Sequence, residues 1–149
     1  DYFVPFKNKL LYDDNILKHE TIPFTVEILE YYTNCQVARR LSYQGPESLH
    51  GMAKNFFLQE LDNEKEYERN IVGMMYRVSG TGEKDGIYIN YLGQPVTQSI
   101  SVNDKNYLLI LRRERNYLED FKIELIDFKK VLYPNKNQKP KQSRIFGFC

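Results

Sequence analysis

The amino-acid sequence predicts a mainly β fold, an antiparallel β-sandwich or partly open barrel, and three observations carry that expectation. Apolar and polar side chains alternate in several short runs, the pattern of strands with one buried face. Turn-forming Gly, Asn, Asp and Pro separate these runs at intervals of about ten residues. The aromatic content is 12 Tyr and 9 Phe with no Trp, residues that suit a pleated, half-buried surface. At 149 residues the chain is expected to form a single domain, with 1–20 as a lead-in and 135–149 as a loop or tail.

The elements follow in order. Phe24, Val26 and Ile28 alternate with Thr25 and Glu27, which predicts a strand, and Cys35 is placed near its end. Two apolar residues, Ile28 and Leu29, then fall together, and a β-bulge there would shift the inward face by one residue. Segment 46–70 is the best helical candidate, a short surface helix or an irregular stretch around Phe56, Phe57, Glu60 and Leu61. Met74, Tyr76 and Val78, a polar Gly80–Gly86 connection, and Ile87, Ile89 and Tyr91 read as a hairpin closed off by Gly93-Gln94-Pro95. Val96–Val102, a turn over Asn103–Asn106 and a strand over Tyr107–Arg113 read as another. The apolar run Tyr107–Leu111 has the length of a buried strand. Phe121, Ile123 and Leu125 alternate in a later strand, and segments 23–32 and 120–129 superpose without a gap. That echo would make the sheet structure two related halves.

Net charge is +1, without the basic excess of a nucleic-acid binder. Charge is nevertheless uneven. Glu60, Asp62, Glu64, Glu66 and Glu68 make an acidic stretch, while after Asp127 every charged side chain is basic, from Lys129 to Arg144. Each is read first as solvated surface, with contact to a partner or to anionic lipid as the alternative. No run of about 18 apolar residues is present. The opening Asp1-Tyr2-Phe3-Val4-Pro5 lacks the features of a secretory signal, so membrane segments of a parent protein would lie outside this chain.

Chemistry-bearing motifs are sparse. Cys35 and Cys149 make neither a disulfide framework nor a metal site, although a bridge between them is compatible with an oxidising compartment. His19 and His50 lack ligand spacing and are read as surface residues, either of which retains the capacity to ligate haem. No Gly-x-Ser-x-Gly elbow or phosphate loop occurs. Arg112, Arg113 and Arg115 form a compact basic cluster able to bind carboxylates such as haem propionates, with a polar strand end as the plainer reading.

The order Asn106–Leu118, Phe121–Phe128 and Tyr133-Pro134 resembles the extracytoplasmic domain of the ResB/CcsB family. The earlier Ile22-Pro23-Phe24-Thr25-Val26-Glu27-Ile28, with Tyr31-Tyr32-x-Asn34, looks like the Pro-Phe strand that precedes these features in that family. The likeness covers about residues 20–135 and is weak over 40–70. Glu119-Asp120 stand where Leu-Pro is expected, and Asn135-Lys136 replace Gly-Thr.

The resemblance implies a membrane-tethered domain on the extracytoplasmic (periplasmic) face of the cytoplasmic membrane, working in System II cytochrome c biogenesis. Its partners would be a CcsA/ResC-like membrane subunit and apocytochrome c, with no nucleic acid. Haem would be handled by the parent complex, where any holocytochrome c synthase activity would reside, and this domain would hold no cofactor or metal. The family's haem-handling residues lie in or near membrane segments and have no counterpart to carry over. Candidate partner-binding residues are Arg112, Arg113, Arg115, Tyr117 and Tyr133, and a partner surface is expected to expose aromatics from the Tyr-rich strands. The alternative is a free-standing extracytoplasmic β-sandwich that binds a ligand.

Overall fold

The computed structural model describes residues 3–113. The chain divides into two compact units, Asp1–Glu114 and Arg115–Cys149, and the described residues belong to the first. Among the described residues there are eight strands: β1 (Ile16–Leu17), β2 (Thr25–Tyr32), β3 (Cys35–Arg39), β4 (Phe56–Glu60), β5 (Gly73–Ser79), β6 (Gly86–Tyr91), β7 (Gln98–Val102) and β8 (Lys105–Leu109). The only helical pieces among them are short 3-10 turns at Asn8–Leu10, Gly51–Lys54 and Tyr67–Arg69. No helix among the described residues is long and apolar enough to cross a membrane.

The expected mainly antiparallel β architecture is present, as open sheets rather than a closed barrel. A four-stranded sheet has the order β1-β2-β5-β6, and β3-β4 and β7-β8 are separate two-stranded hairpins. The four-stranded sheet lies between the two hairpins, because its two faces feed different cores. Val26, Ile28, Met74, Tyr76, Val78 and Tyr88 cluster with Ile100 and Val102 of β7, and Tyr107 and Leu109 of β8 pack on them. Ile89, with Met75 and Tyr91, joins Cys35, Leu58, Val37 and Phe56 of the β3-β4 hairpin. Successive residues of one strand point to opposite faces, so β5 and β6 serve both clusters at once. Fully buried side chains such as Ile28, Val78 and Ile89 contribute about 1.5–3 kcal/mol each.

Several expectations acquire finer detail. In β2 the pairing runs Ile28 to Tyr76 and then Glu30 to Met75, so Leu29 is the extra residue of a bulge. Before it, Phe24, Val26 and Ile28 face one core; after it, Tyr31 packs on that core and Tyr32 on the other. This is the one-residue shift that the paired apolar residues predicted. The second hairpin turns on Asn103 and Asp104 alone, with φ of 52° and 62°, a two-residue turn whose left-handed backbone Asn and Asp tolerate. Consequently β8 begins at Lys105 and ends at Leu109, shorter and earlier than the expected Tyr107–Arg113.

Other expectations are corrected. The helical reading of Phe56–Glu60 gives way to β4, which pairs with β3 from Cys35 to Arg39, and the rest of 46–70 is irregular with two 3-10 turns. Tertiary pairing overrides a weak helical pattern when a complementary strand is available. Cys35 opens β3 rather than closing β2. The run Tyr107–Leu111 is not a buried strand, since Leu108 and Ile110 are exposed while Tyr107 and Leu109 pack inward. The lead-in contributes Leu11 and Leu17 to the core and pairs β1 to β2. The Phe121 strand, and with it the two-halves reading, lies outside the described residues.

Burial on both faces makes β6 unusual. Gly86 through Asn90 are all buried, and Asn90 must therefore satisfy its amide inside the protein. Its Oδ1 accepts from the Tyr76 hydroxyl at 2.8 Å and its Nδ2 donates to the Leu109 carbonyl at 2.9 Å, tying β5, β6 and β8 together. On the opposite face, a Cβ at Gly73 would lie 2.6 Å from Cys35 Sγ and 2.9 Å from Leu58 Cδ1, so the β3-β4 hairpin approaches as closely as glycine permits. Gly73→Ala is expected to cost about 1–3 kcal/mol by overpacking, and clearly less in a Cys35→Ala background. Urea denaturation of the four variants measures the coupling, and an additive result would show that Gly73 and Cys35 do not share space. Asn90→Ala is expected to cost about 3 kcal/mol, because it leaves the Tyr76 hydroxyl and the Leu109 carbonyl without partners.

Candidate functional site

The sequence-nominated residues are dispersed. Arg112 is exposed just past β8. Arg113 is half-buried and donates from Nη2 to the Glu68 and Asn70 carbonyls, with its guanidinium 5.6 Å over the Tyr67 ring. Its donors therefore hold the 66–70 turn against the end of the β7-β8 hairpin. Arg115, Tyr117 and Tyr133, like Cys149, lie outside the described residues. The cluster of three arginines read from the sequence is thus seen only through Arg112 and Arg113, which have different surroundings.

The histidines are apart and differently used. His19 is exposed, with Nδ1 hydrogen-bonded to Thr21 Oγ1 at 2.7 Å. His50 is half-buried rather than on the surface, stacked on Tyr88 at 5.0 Å with Nε2 2.9 Å from the Asp85 carbonyl oxygen. Tyr88 stacks in turn on Tyr76 at 5.7 Å. Burial pushes the Tyr88 phenol up to about 12, with the Asp85 charge adding to it, and burial followed by Tyr88 pushes Tyr76 well up. Both phenols are therefore neutral donors in a packed aromatic column. Cys35 is a free, buried thiol, pushed up to about 11 by burial. It is a poor nucleophile in that state. Among the described residues no group of three or more His, Cys, Asp or Glu is placed to hold a metal ion.

One concave feature of the described surface is an open, shallow acidic cleft of about 360 Å³ lined by Asp13, Glu30, Tyr31, Tyr32 and Glu60. Local structure explains each wall. The bulge at Leu29 shifts the inward face by one residue, which sets Tyr31 on the core of Ile28 and Tyr32 on the other, and the Tyr31 amide donates to Asp13 Oδ1 at 2.9 Å. The Tyr32 hydroxyl donates to Glu30 Oε2. Glu60 ends β4 opposite Cys35, brought there because Asn34 at the β2–β3 corner is buried and holds the incoming chain. Asn34 Nδ2 donates to the Asp62 carbonyl at 2.7 Å, and its Oδ1 accepts from the Ile71 amide at 3.0 Å. Burial, with Tyr67 adding to it, raises the Tyr31 phenol, so it stays a neutral donor. Carboxylates beside neutral phenols suit a cationic side chain, which can sit on the rings and against the carboxylates.

Sequence reasoning missed this cleft. The acidic stretch from Glu60 was visible, and so was the Tyr31-Tyr32 pair, but Asp13 belongs to the lead-in and only the β1–β2 pairing brings it near.

The chain matches no family model, no curated protein and no solved structure in comparisons with known proteins.

A second charged group lies on the four-stranded sheet. Arg77 faces Glu27 across the β2–β5 ladder and bonds it from Nη1, while Nε and Nη2 take both oxygens of Glu47 at 2.8 and 2.7 Å. This bidentate contact ties the loop before the Gly51 turn to the sheet. The hydrogen bond and charge of Arg77 hold the Glu47 carboxyl below its ordinary 4.5 against a smaller desolvation effect. Asp85 is also lowered: desolvation raises it, but bonds from the Thr81 hydroxyl and the Thr81, Gly80 and Gly82 amides outweigh that.

The depressed Glu47 value gives a signed prediction. The stabilisation is fully present above the unfolded value near 4.5 and is lost as pH falls through the lower folded value. Both side chains are about a third exposed, so solvent screening limits the pair to about 0.5–1 kcal/mol. Glu47→Gln is therefore expected to cost that much near neutral pH and almost nothing once the pH has fallen below the lowered folded value. Thermal melts of both proteins across pH check this, and since Asp85 titrates in both, the difference between them isolates Glu47.

Proposed function

We propose that this chain is a non-catalytic, extracytoplasmic docking domain of a cytochrome c assembly complex, tethered to the membrane by segments outside the chain. One observation supports it above the others. The segment that resembles the ResB/CcsB Pro-Phe strand, from Pro23 to Asn34, is the one whose bulge sets Tyr31 and Tyr32 into the acidic cleft. Tyr31 and Tyr32 therefore belong both to the resemblance and to the lining of the cleft. A docking role asks for such a surface: aromatic side chains that bury area while keeping a hydroxyl satisfied, beside charges that select a complementary partner.

In this reading the cleft receives a basic stretch of the CcsA/ResC-like subunit or of apocytochrome c. Haem stays with the parent complex. Electrostatic contacts of this kind govern encounter rate and orientation more than final affinity.

Chemical crosslinking and pull-down with the partner subunit and with an apocytochrome c peptide test the reading. Capture of at least one is expected, with Glu30→Gln/Glu60→Gln weakening it by about three- to tenfold and raised salt weakening the wild type similarly. Failure to capture either partner would overturn the assignment. Capture unaffected by the charge variants would move the docking surface away from the cleft.

A further inference from the structure

We propose that the exposed loop following β3, which carries Leu41 at its start, is a docking site for an anionic membrane surface. The inference is independent of the cleft and of the partner proteins named above. Residues 41–46 are all exposed, and Leu41 is 95% exposed, so no neighbour walls it. Behind it Arg40 is held in place: its backbone amide donates to the Asn55 carbonyl at 2.7 Å and its Nε to the Ala53 carbonyl at 3.0 Å. Its guanidinium lies 5.2 Å from the Tyr43 ring centroid and 5.9 Å from that of Phe57, rings that are 37% and 38% exposed.

Two further cations lie at the same end of the hairpin. Arg39 is exposed opposite Phe56 at the end of the ladder, and Lys54 is exposed in the turn that supplies the Ala53 and Asn55 carbonyls.

Among the described residues no carboxylate forms an ion pair with Arg39, Arg40 or Lys54. No Asp or Glu occurs in 31–46 or 48–59, Glu47 is committed to Arg77, and Glu60 is at the opposite end of the hairpin. Arg69 and Arg77 have carboxylate partners and Arg113 has carbonyls, whereas the terminal nitrogens of Arg40 have no acceptor among the described residues. The patch therefore combines a projecting aliphatic side chain, two rings and three cations. An acidic protein partner would meet the cations but would need a pocket shaped for Leu41. A lipid interface accepts any projecting apolar side chain, takes Tyr and Phe at headgroup depth and supplies phosphates for the arginines.

Co-sedimentation of the full chain with vesicles tests this. Vesicles of equimolar phosphatidylcholine and phosphatidylglycerol are expected to pellet the protein, vesicles of phosphatidylcholine alone are not, and raised salt is expected to release it. Arg39→Gln and Lys54→Gln should each lower partitioning about fivefold. Leu41→Ser should lower it about tenfold. All three positions are exposed, and a circular dichroism melt matching the wild type verifies the fold.

Three results would overturn the proposal. One is a wild type that does not pellet. Another is pelleting unchanged by the three substitutions, which would assign any membrane affinity to the lysines after Asp127. The last is Leu41- and Arg39-dependent binding to polyglutamate without binding to vesicles, which would make the patch a site for acidic protein. None of these vesicles carries a partner subunit or apocytochrome c, so this result and that of the docking test stand or fall separately.

Discussion

Everything in the described unit follows from the covering of the four-stranded sheet on both faces. A hairpin sits on each side, so β6 has no wet face, and its residues from Gly86 to Asn90 are buried. A strand in that position cannot carry the polar alternation of a half-exposed sheet. The one amide it does carry, Asn90, bridges the Tyr76 hydroxyl to the β8 backbone, so the polar group that would destabilise a dry core instead sets the register of the covering hairpin. The glycines on the same strands answer the same constraint. Gly73 lets the other hairpin approach, and at Gly86, with φ of 147°, a Cβ would meet the Ser48 carbonyl oxygen at 2.2 Å.

The bulge at Leu29 is the second device. Without it β2 would present Tyr32 to the same core as Ile28, and the sheet would end in a smooth edge. With it, the two tyrosines exchange faces, Tyr31 joining the cluster of Ile28 and Tyr32 the other, and the chain leaves the sheet through the Asn34 corner into the β3-β4 hairpin. Asn34 accepts and donates across a loop that is distant in sequence, which draws the acidic stretch to the end of the hairpin. A single inserted residue thereby shapes a cleft between elements of the lead-in, β2 and β4.

The arginines show how similar side chains are put to different uses by their surroundings. Arg77 is committed to two glutamates and fastens a loop, and Arg113 is committed to two carbonyls and fastens a turn. Arg40 is fastened by carbonyls at its near end and flanked by rings, leaving its far end open to solvent. Only that last arrangement leaves a fixed cation for a ligand. Composition alone, with basic and acidic residues almost balanced, conceals the difference.

Strand identity was legible wherever local chemistry was sufficient. The alternation of Phe24, Val26 and Ile28, the slip that placed the bulge, a tight hairpin turn opening at Asn103 and the hairpin around Gly80–Gly86 all depend on residues close in sequence, and each is found. What depended on distant partners was not legible. Phe56–Glu60 became a strand because β3 lay beside it. Tyr88 and Asn90 became interior because a hairpin covered what would otherwise be an outer face. Asp13 entered the cleft through the pairing of β1 with β2. Periodicity reports which side of a strand is apolar, but whether the other side meets water or another sheet is decided by packing between elements that no local pattern encodes.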